Sequence, residues 1–347
     1  MVSILTLIAL LSLLASTVAV SQKDSPVVGI VTTPASDCGS PPPGINATTC
    51  IERYFTLLSP LKCLSNALRL RFASLLSSRF CSYYVRWIEA SGSRVVVIPW
   101  DVTPDRLQWF ASRVNAVLFP GGGLEDGATM SAYFKNVLLW HDTSIEMSKR
   151  GQRLVLWGTC QGFQVLCAAA ARNLSVIEEN VVHGLYPLML PLNLTEASAS
   201  SRMLGTASTA PDVLKILSGQ ATTLNWHHDA VRLPSWQLHP SMSELVVTST
   251  NCDPSGVEFV SAVEHKTAPI FAAQFHPERP PYEFKNSLIG HSADVMVVSQ
   301  YFANFLASQA RMGSNTFDGG DAEIEAHSVH NFALVNSGYG DALYWLP

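Results

Sequence analysis

Gly158-Thr159-Cys160-Gln161-Gly162 follows the apolar run Leu154-Val155-Leu156-Trp157 and leads into an alanine-rich stretch that ends at Ala171. A strand that closes in G-x-C-x-G and turns directly into a helix has the form of a nucleophile elbow. The central side chain is held in a tight backbone turn and exposed at the carboxyl edge of a parallel sheet. The turn also sets the Cys160 sulfur at a helix N-terminus, where the dipole and the free N–H groups favour a thiolate. Such a nucleophile needs a base. Pro269 to Phe275 reads as a buried strand ending in His276-Pro277-Glu278. Residues two apart in an extended segment share a side, so Glu278 is placed to orient and charge-stabilise the His276 imidazole. Cys160, His276 and Glu278 together make a triad for acyl transfer. Donors for the oxyanion are expected from Gly121, Gly122 and Gly123, which follow the short strand Asn115–Phe119, and from the N–H of Gln161.

The elements that must position these groups alternate along the first half of the chain. Strands are expected at Val27–Val31, Arg94–Pro99, Asn115–Phe119 and the run before the elbow. Helices are expected over Tyr83–Ala90, Pro104–Ser112 and Ser131–Arg150. This alternation predicts an α/β fold: a three-layer sandwich with a mainly parallel, flavodoxin-like sheet, its sites at the carboxyl ends of the strands. From Val181 to Val263 short apolar runs are broken by Pro, Gly, Ser and Asn, predicting antiparallel and loop-rich decoration. His239-Pro240 lies there, lacks an acidic residue two positions on, and reads as a loop. A helix over Asp294–Gln309 closes the domain, and residues 313–347 read as a Gly-, Ser- and Asn-rich tail with an apolar finish.

The motifs PGGG, WGTCQGFQVL and QFHPE, taken together, resemble the class I glutamine amidotransferase-like superfamily. Further stretches resemble one family within it, the gamma-glutamyl hydrolases, which act on folate polyglutamates. These are Ser25–Ile30, Ser82–Gly92, Pro191–Thr195, Ser201–Met203, Asn225–His227 and Pro281–Asn286. The resemblance runs from about Ser25 to the C-terminus. It implies a Cys-His-Glu thiol hydrolase that cleaves γ-glutamyl bonds through a glutamyl thioester, with folate and antifolate poly-γ-glutamates as substrates and no cofactor or metal. It also implies a rim histidine at His227, and it suggests Arg202 and Lys285 as contacts for the glutamyl carboxylates. Two other readings stay open: a glutaminase module that passes ammonia to a synthase partner, and a catalytically dead relative that only binds. Endo or exo cleavage and a homodimer are also left open.

Composition fits a single hydrolase domain over residues 22–347. Of the 347 residues, 48% are hydrophobic and 14% charged, enough apolar content for a large core. A net charge of −5 gives no reason to expect a nucleic-acid partner. Met1 to Val20 carries no charged residue, and Ser16–Ser21 offers small residues for cleavage, so residues 1–21 read as a signal peptide rather than a lasting membrane anchor. Sequons at Asn46, Asn173 and Asn193 fit passage through the secretory pathway, toward the exterior or a lysosome or vacuole. Seven cysteines allow three disulfides beside one free nucleophile, with Cys167 read as a small buried residue. Residues 56–81, rich in Leu, Ser and Arg without Asp or Glu, match nothing in the family. They read either as a surface insertion or as a non-coding segment carried into the translation.

Overall fold

The computed structural model of the chain describes residues 22–34, 78–123, 127–205, 211–336 and 342–346. The expected signal peptide, Asn46, Cys38, Cys50, Cys63 and the unmatched segment up to residue 77 lie outside them. Eight strands make the main sheet: β1 (Val27–Val31), β2 (Arg94–Ile98), β3 (Ala116–Phe119), β4 (Val155–Thr159), β5 (Asn193–Leu194), β6 (Leu245–Cys252), β7 (Glu258–His265) and β8 (Ile270–Ala273). Their order is β2-β1-β3-β4-β8-β7-β6-β5. The first five are parallel, in the flavodoxin-like order. The last three continue the sheet antiparallel.

The parallel strands are near-continuous apolar runs because both their faces are covered. Val27 and Val31 of β1 enter one core with Phe110, Trp140 and Phe163. Val28 and Ile30, one residue out of step, enter the other with Trp87, Trp157 and Phe302. Helices α1 (Ser82–Glu89) and α5 (Ala293–Arg311) cover the second face, while α2 (Pro104–Ala111), α3 (Gly127–Lys149) and α4 (Gln161–Ala171) cover the first. Trp87 is fully buried and its indole N–H donates to the Ser299 carbonyl at 2.9 Å, fixing α1 to α5. Burying such a side chain contributes about 2–3 kcal/mol. The α2 start is set by Pro104 and by Thr103, whose hydroxyl caps Arg106 N–H.

Helix ends fall within a few residues of expectation; α3 begins four residues early, at Gly127. The decorated middle does hold antiparallel pairs, 188–190 with 223–225 and 177–178 with 230–231. It also contains helices at Pro211–Gly219 and Leu233–Gln237, and Pro240–Glu244 after His239 is a 3-10 turn rather than an open loop. The tail is built into the fold. Asn315 binds the Ala111 and Val114 carbonyls, and Gly320–Ala326 is helical. Residues 333–336 and 342–346 form a small sheet with 78–81 and 33–34. Ser78–Cys81, the end of the unmatched segment, is thus a paired strand, with Phe80 stacked on Tyr344. Cys167 is fully buried and burial pushes its thiol well up. Among the described residues Cys167 and Cys252 take part in no disulfide.

Candidate active site

Three strand ends converge on one cleft. The glycine loop leaves β3, the elbow leaves β4, and His276 follows β8, the neighbour of β4 on the other side. Cys160 has φ 54° and ψ −111° and precedes the first residue of α4. This is the left-handed half of the map, costly for a residue with a Cβ and found where surrounding structure enforces it. The enforcement is visible. Cys160 N–H donates to the Ala273 carbonyl at 2.9 Å, tying the elbow to β8. A Cβ at Gly158 would lie 2.5 Å from the Gly162 carbonyl oxygen, and one at Gly162 would lie 1.9 Å from the Phe119 oxygen. Both glycines are therefore needed for close approach.

His276 Nδ1 lies 2.7 Å from Glu278 Oε1, and both side chains are buried. Burial pushes the imidazolium pKa down, but the Glu278 carboxylate and the Cys160 sulfur outweigh it and raise His276 to about 9. The folded value exceeds the ordinary 6.5, so this charge stabilises the fold below pH 6.5; the contribution is lost as pH rises through about 9. A Cβ at Gly121 would sit 2.9 Å from His276 Cε1, 3.0 Å from Tyr84 Oη and 3.2 Å from Cys160 Cβ. Cys160, His276 and the glycine loop thus surround one point.

The loop itself corrects one expectation. Gly121 N–H donates to Tyr84 Oη at 2.7 Å, so it supplies close approach rather than a free donor. Tyr84, having accepted that bond, keeps its own O–H to donate. The Gln161 N–H opens α4 and has no carbonyl within the helix to meet. A Cβ at Gly122 would come 2.6 Å from Gln161 Oε1, whereas one at Gly123 would meet nothing within 4 Å.

The cleft encloses about 370 Å³. The glutamine amidotransferase class-I family model matches residues 78–294, more than half of the chain. The gamma-glutamyl hydrolase of Mus musculus is 31% identical over 271 residues, covering 77% of this chain and 82% of the relative. That of Homo sapiens is 28% identical, covering 74% and 78%, and gamma-glutamyl hydrolase B of Dictyostelium discoideum is 28% identical, covering 72% and 70%. The chain belongs to the gamma-glutamyl hydrolase family.

In this gamma-glutamyl hydrolase family member His227 lines the same cleft. Its Nδ1 lies 2.9 Å from the Asp229 carbonyl and its Nε2 3.3 Å from Asn225 Oδ1. Burial, with His276 adding to it, lowers His227 to about 4 against the opposing Asp229 carbonyl, so the ring is neutral above that pH. The depressed value means the unfolded chain takes up the proton first, and stability falls as pH drops from 6.5 through about 4. Two candidate carboxylate contacts are placed elsewhere. Arg202 lies at the amino end of β8, the edge opposite the site, where its guanidinium donates to the His265 and Ala268 carbonyls and pairs with Glu264. Lys285 is exposed and does not line the cleft. Asn173 and Asn193 are exposed, Asn193 on edge strand β5. The sequence reading missed Tyr84, Trp226 and Arg279, which line the cleft. The arginine directly after His-Pro-Glu was the available signal for Arg279.

The raised His276 pKa sets an expected pH profile. kcat/KM falls above about pH 9 as the imidazolium is lost. Glu278→Gln removes the carboxylate that helps hold that proton, moving the alkaline limb to lower pH and cutting turnover by about a thousand- to ten-thousand-fold. A pH–rate series on the two proteins checks both effects; an unmoved limb would separate Glu278 from His276.

Proposed function

We propose that this enzyme hydrolyses the γ-glutamyl amide bonds of folate and antifolate poly-γ-glutamates, with Cys160 as nucleophile. The observation that carries the reading is the buried His276–Glu278 pair, 2.7 Å apart, set beside a cysteine on a strained elbow at a helix N-terminus. The Cys160 thiolate attacks the γ-carbonyl, forming a C–S bond and an oxyanion. The Gln161 N–H, the glycine loop at Gly122–Gly123 and the Tyr84 hydroxyl are the donors for that oxygen. His276, protonated through its contact with Glu278, gives its proton to the leaving nitrogen as the C–N bond breaks. The thioester that remains is hydrolysed by water whose proton returns to His276, and the C–S bond breaks to release the carboxylate and regenerate Cys160. His227, neutral at the cleft wall, contacts substrate by packing and hydrogen bonding rather than charge.

Among the described residues no helix is long and apolar enough to cross a membrane. The functional reading carries with it removal of residues 1–21, N-glycosylation at Asn46, Asn173 and Asn193, and residence outside the cell or in a lysosome or vacuole. Mass spectrometry of folyl-poly-γ-glutamate incubated with the protein tests the activity, with shortened folate chains expected. Acid-quenched samples should carry a glutamyl group on the peptide containing Cys160. Intact substrate after incubation with folded protein would overturn the assignment.

A further inference from the structure

The cleft holds one basic side chain other than histidine among the described residues, Arg279. It follows Glu278 directly and is therefore carried on the same loop as His276. Its guanidinium lies over two aromatic rings, 4.2 Å from the centroid of Trp226 and 5.2 Å from that of Tyr83. Arg279 Nε donates to Glu283 Oε2 at 2.7 Å, and both side chains are largely buried. A turn supports the pair: the backbone N–H groups of Tyr282 and Glu283 both donate to the Arg279 carbonyl. Glu283 sits in the Pro281–Asn286 stretch, whose sequence was distinctive without an evident task.

These contacts do what a fixed anion reader requires. The two rings confine the guanidinium, and the Nε bond to Glu283 fixes one of its edges. Little rotamer freedom remains to be lost when an anion arrives. A poly-γ-glutamyl chain presents a matching group at every unit. Each γ-carboxyl except the last is consumed in an amide, while each α-carboxylate stays free, and no free amine separates the units. An α-linked glutamate chain lacks this arrangement beside its scissile bond. Asp229, the carboxylate in the cleft lining, is bonded to His228 Nδ1 at 2.6 Å and to Asn180 N–H at 2.8 Å.

We propose that Arg279, held by Glu283 between Trp226 and Tyr83, binds the α-carboxylate of the glutamyl unit seated in the cleft and so selects γ-linked chains. The assignment rests on the hydrolase reading given above. It replaces Arg202 and Lys285 in that role.

The test compares two γ-glutamyl substrates that share a leaving group, one with free α-carboxylates and one with α-carboxamides. Wild type is expected to prefer the carboxylate by about 10- to 100-fold in kcat/KM, the range for a charge-assisted bidentate contact. Arg279→Gln should lose that preference, its activity falling more on the carboxylate substrate than on the carboxamide. Arg279→Lys should recover part of it. A variant that slows both substrates equally, leaving the ratio intact, marks Arg279 as merely structural and overturns the proposal. If Arg279→Gln does not fold, calorimetry on Cys160→Ala with Arg279 intact gives the answer. The carboxylate chain should bind at least tenfold tighter than its carboxamide; equal binding overturns the proposal. If wild type cleaves neither substrate, the hydrolase reading itself falls and this one with it. Cleavage of both with no preference removes only the role of Arg279.

Discussion

Replacing Cys160 by alanine is expected to lower kcat/KM by about ten-thousand-fold or more, whereas replacing it by glycine should abolish turnover equally and raise the melting temperature. On the proposed mechanism the first effect follows from the loss of the group that forms the acyl intermediate; members of such a triad act as a unit, so His276 and Glu278 would not compensate. The second follows from the backbone. At φ 54° and ψ −111° a side chain costs about 1–3 kcal/mol. Glycine removes that strain but returns about 0.5–1 kcal/mol through the greater freedom of its unfolded chain. A net gain of about 1 kcal/mol corresponds to roughly 1–2 °C for a domain of about 300 residues. Product analysis together with calorimetry on wild type, Cys160→Ala and Cys160→Gly checks both halves. Residual turnover near the wild-type level in either variant would remove Cys160 as the nucleophile. A glycine variant that melts below wild type would show that the elbow is not strained.

Gly162→Ala should be the most damaging single-methyl change in the molecule's active-site frame. The added Cβ would come 1.9 Å from the Phe119 carbonyl oxygen and 2.6 Å from its carbon. Those atoms belong to the backbone of β3, which is hydrogen-bonded into the centre of the sheet and has no rotamer through which to yield. Helix α4 must therefore move away from β3. That movement opens the core where Phe163 and Val165 pack and separates the elbow from the glycine loop. A cost of at least about 3 kcal/mol is expected, at the upper end for overpacking, with a fall in melting temperature of about 4–6 °C. Gly123→Ala is the matched control. Its Cβ would meet nothing within 4 Å, so stability should stay within about 0.5 kcal/mol of wild type. Urea unfolding of the two variants side by side decides the matter. A Gly162→Ala protein as stable as the control would mean that the helix can be displaced freely from β3.

Local pattern in the chain is enough for the parts of the protein that are overspecified by near neighbours. Short apolar runs rich in Val, Ile and Leu and bounded by turn residues read as strands covered on both faces, and their alternation with amphipathic helices leaves few topologies. The glycines at 158 and 162 are legible for the same reason: each is demanded by a backbone contact that any side chain would violate. His276 and Glu278 are near neighbours in the chain, so their pairing could be read from a two-residue spacing. Tertiary structure alone decided what depends on distant segments meeting. Arg202 looked suited to a carboxylate, yet Glu264 and the carbonyls of His265 and Ala268 hold it at the far edge of the sheet. Arg279 becomes the cation of the cleft because Tyr83 on α1 and Trp226 after residues 223–225 close on it from elements over 50 residues or more away in sequence. The Gly121 N–H is engaged because Tyr84, on α1, reaches the loop after β3. Residues 342–346 join the fold because they find Ser78–Cys81 as a partner strand. Local pattern fixes which elements form and which residues can react. Which side chains then face the substrate is set by the packing of elements against one another, and no periodicity in the chain encodes that.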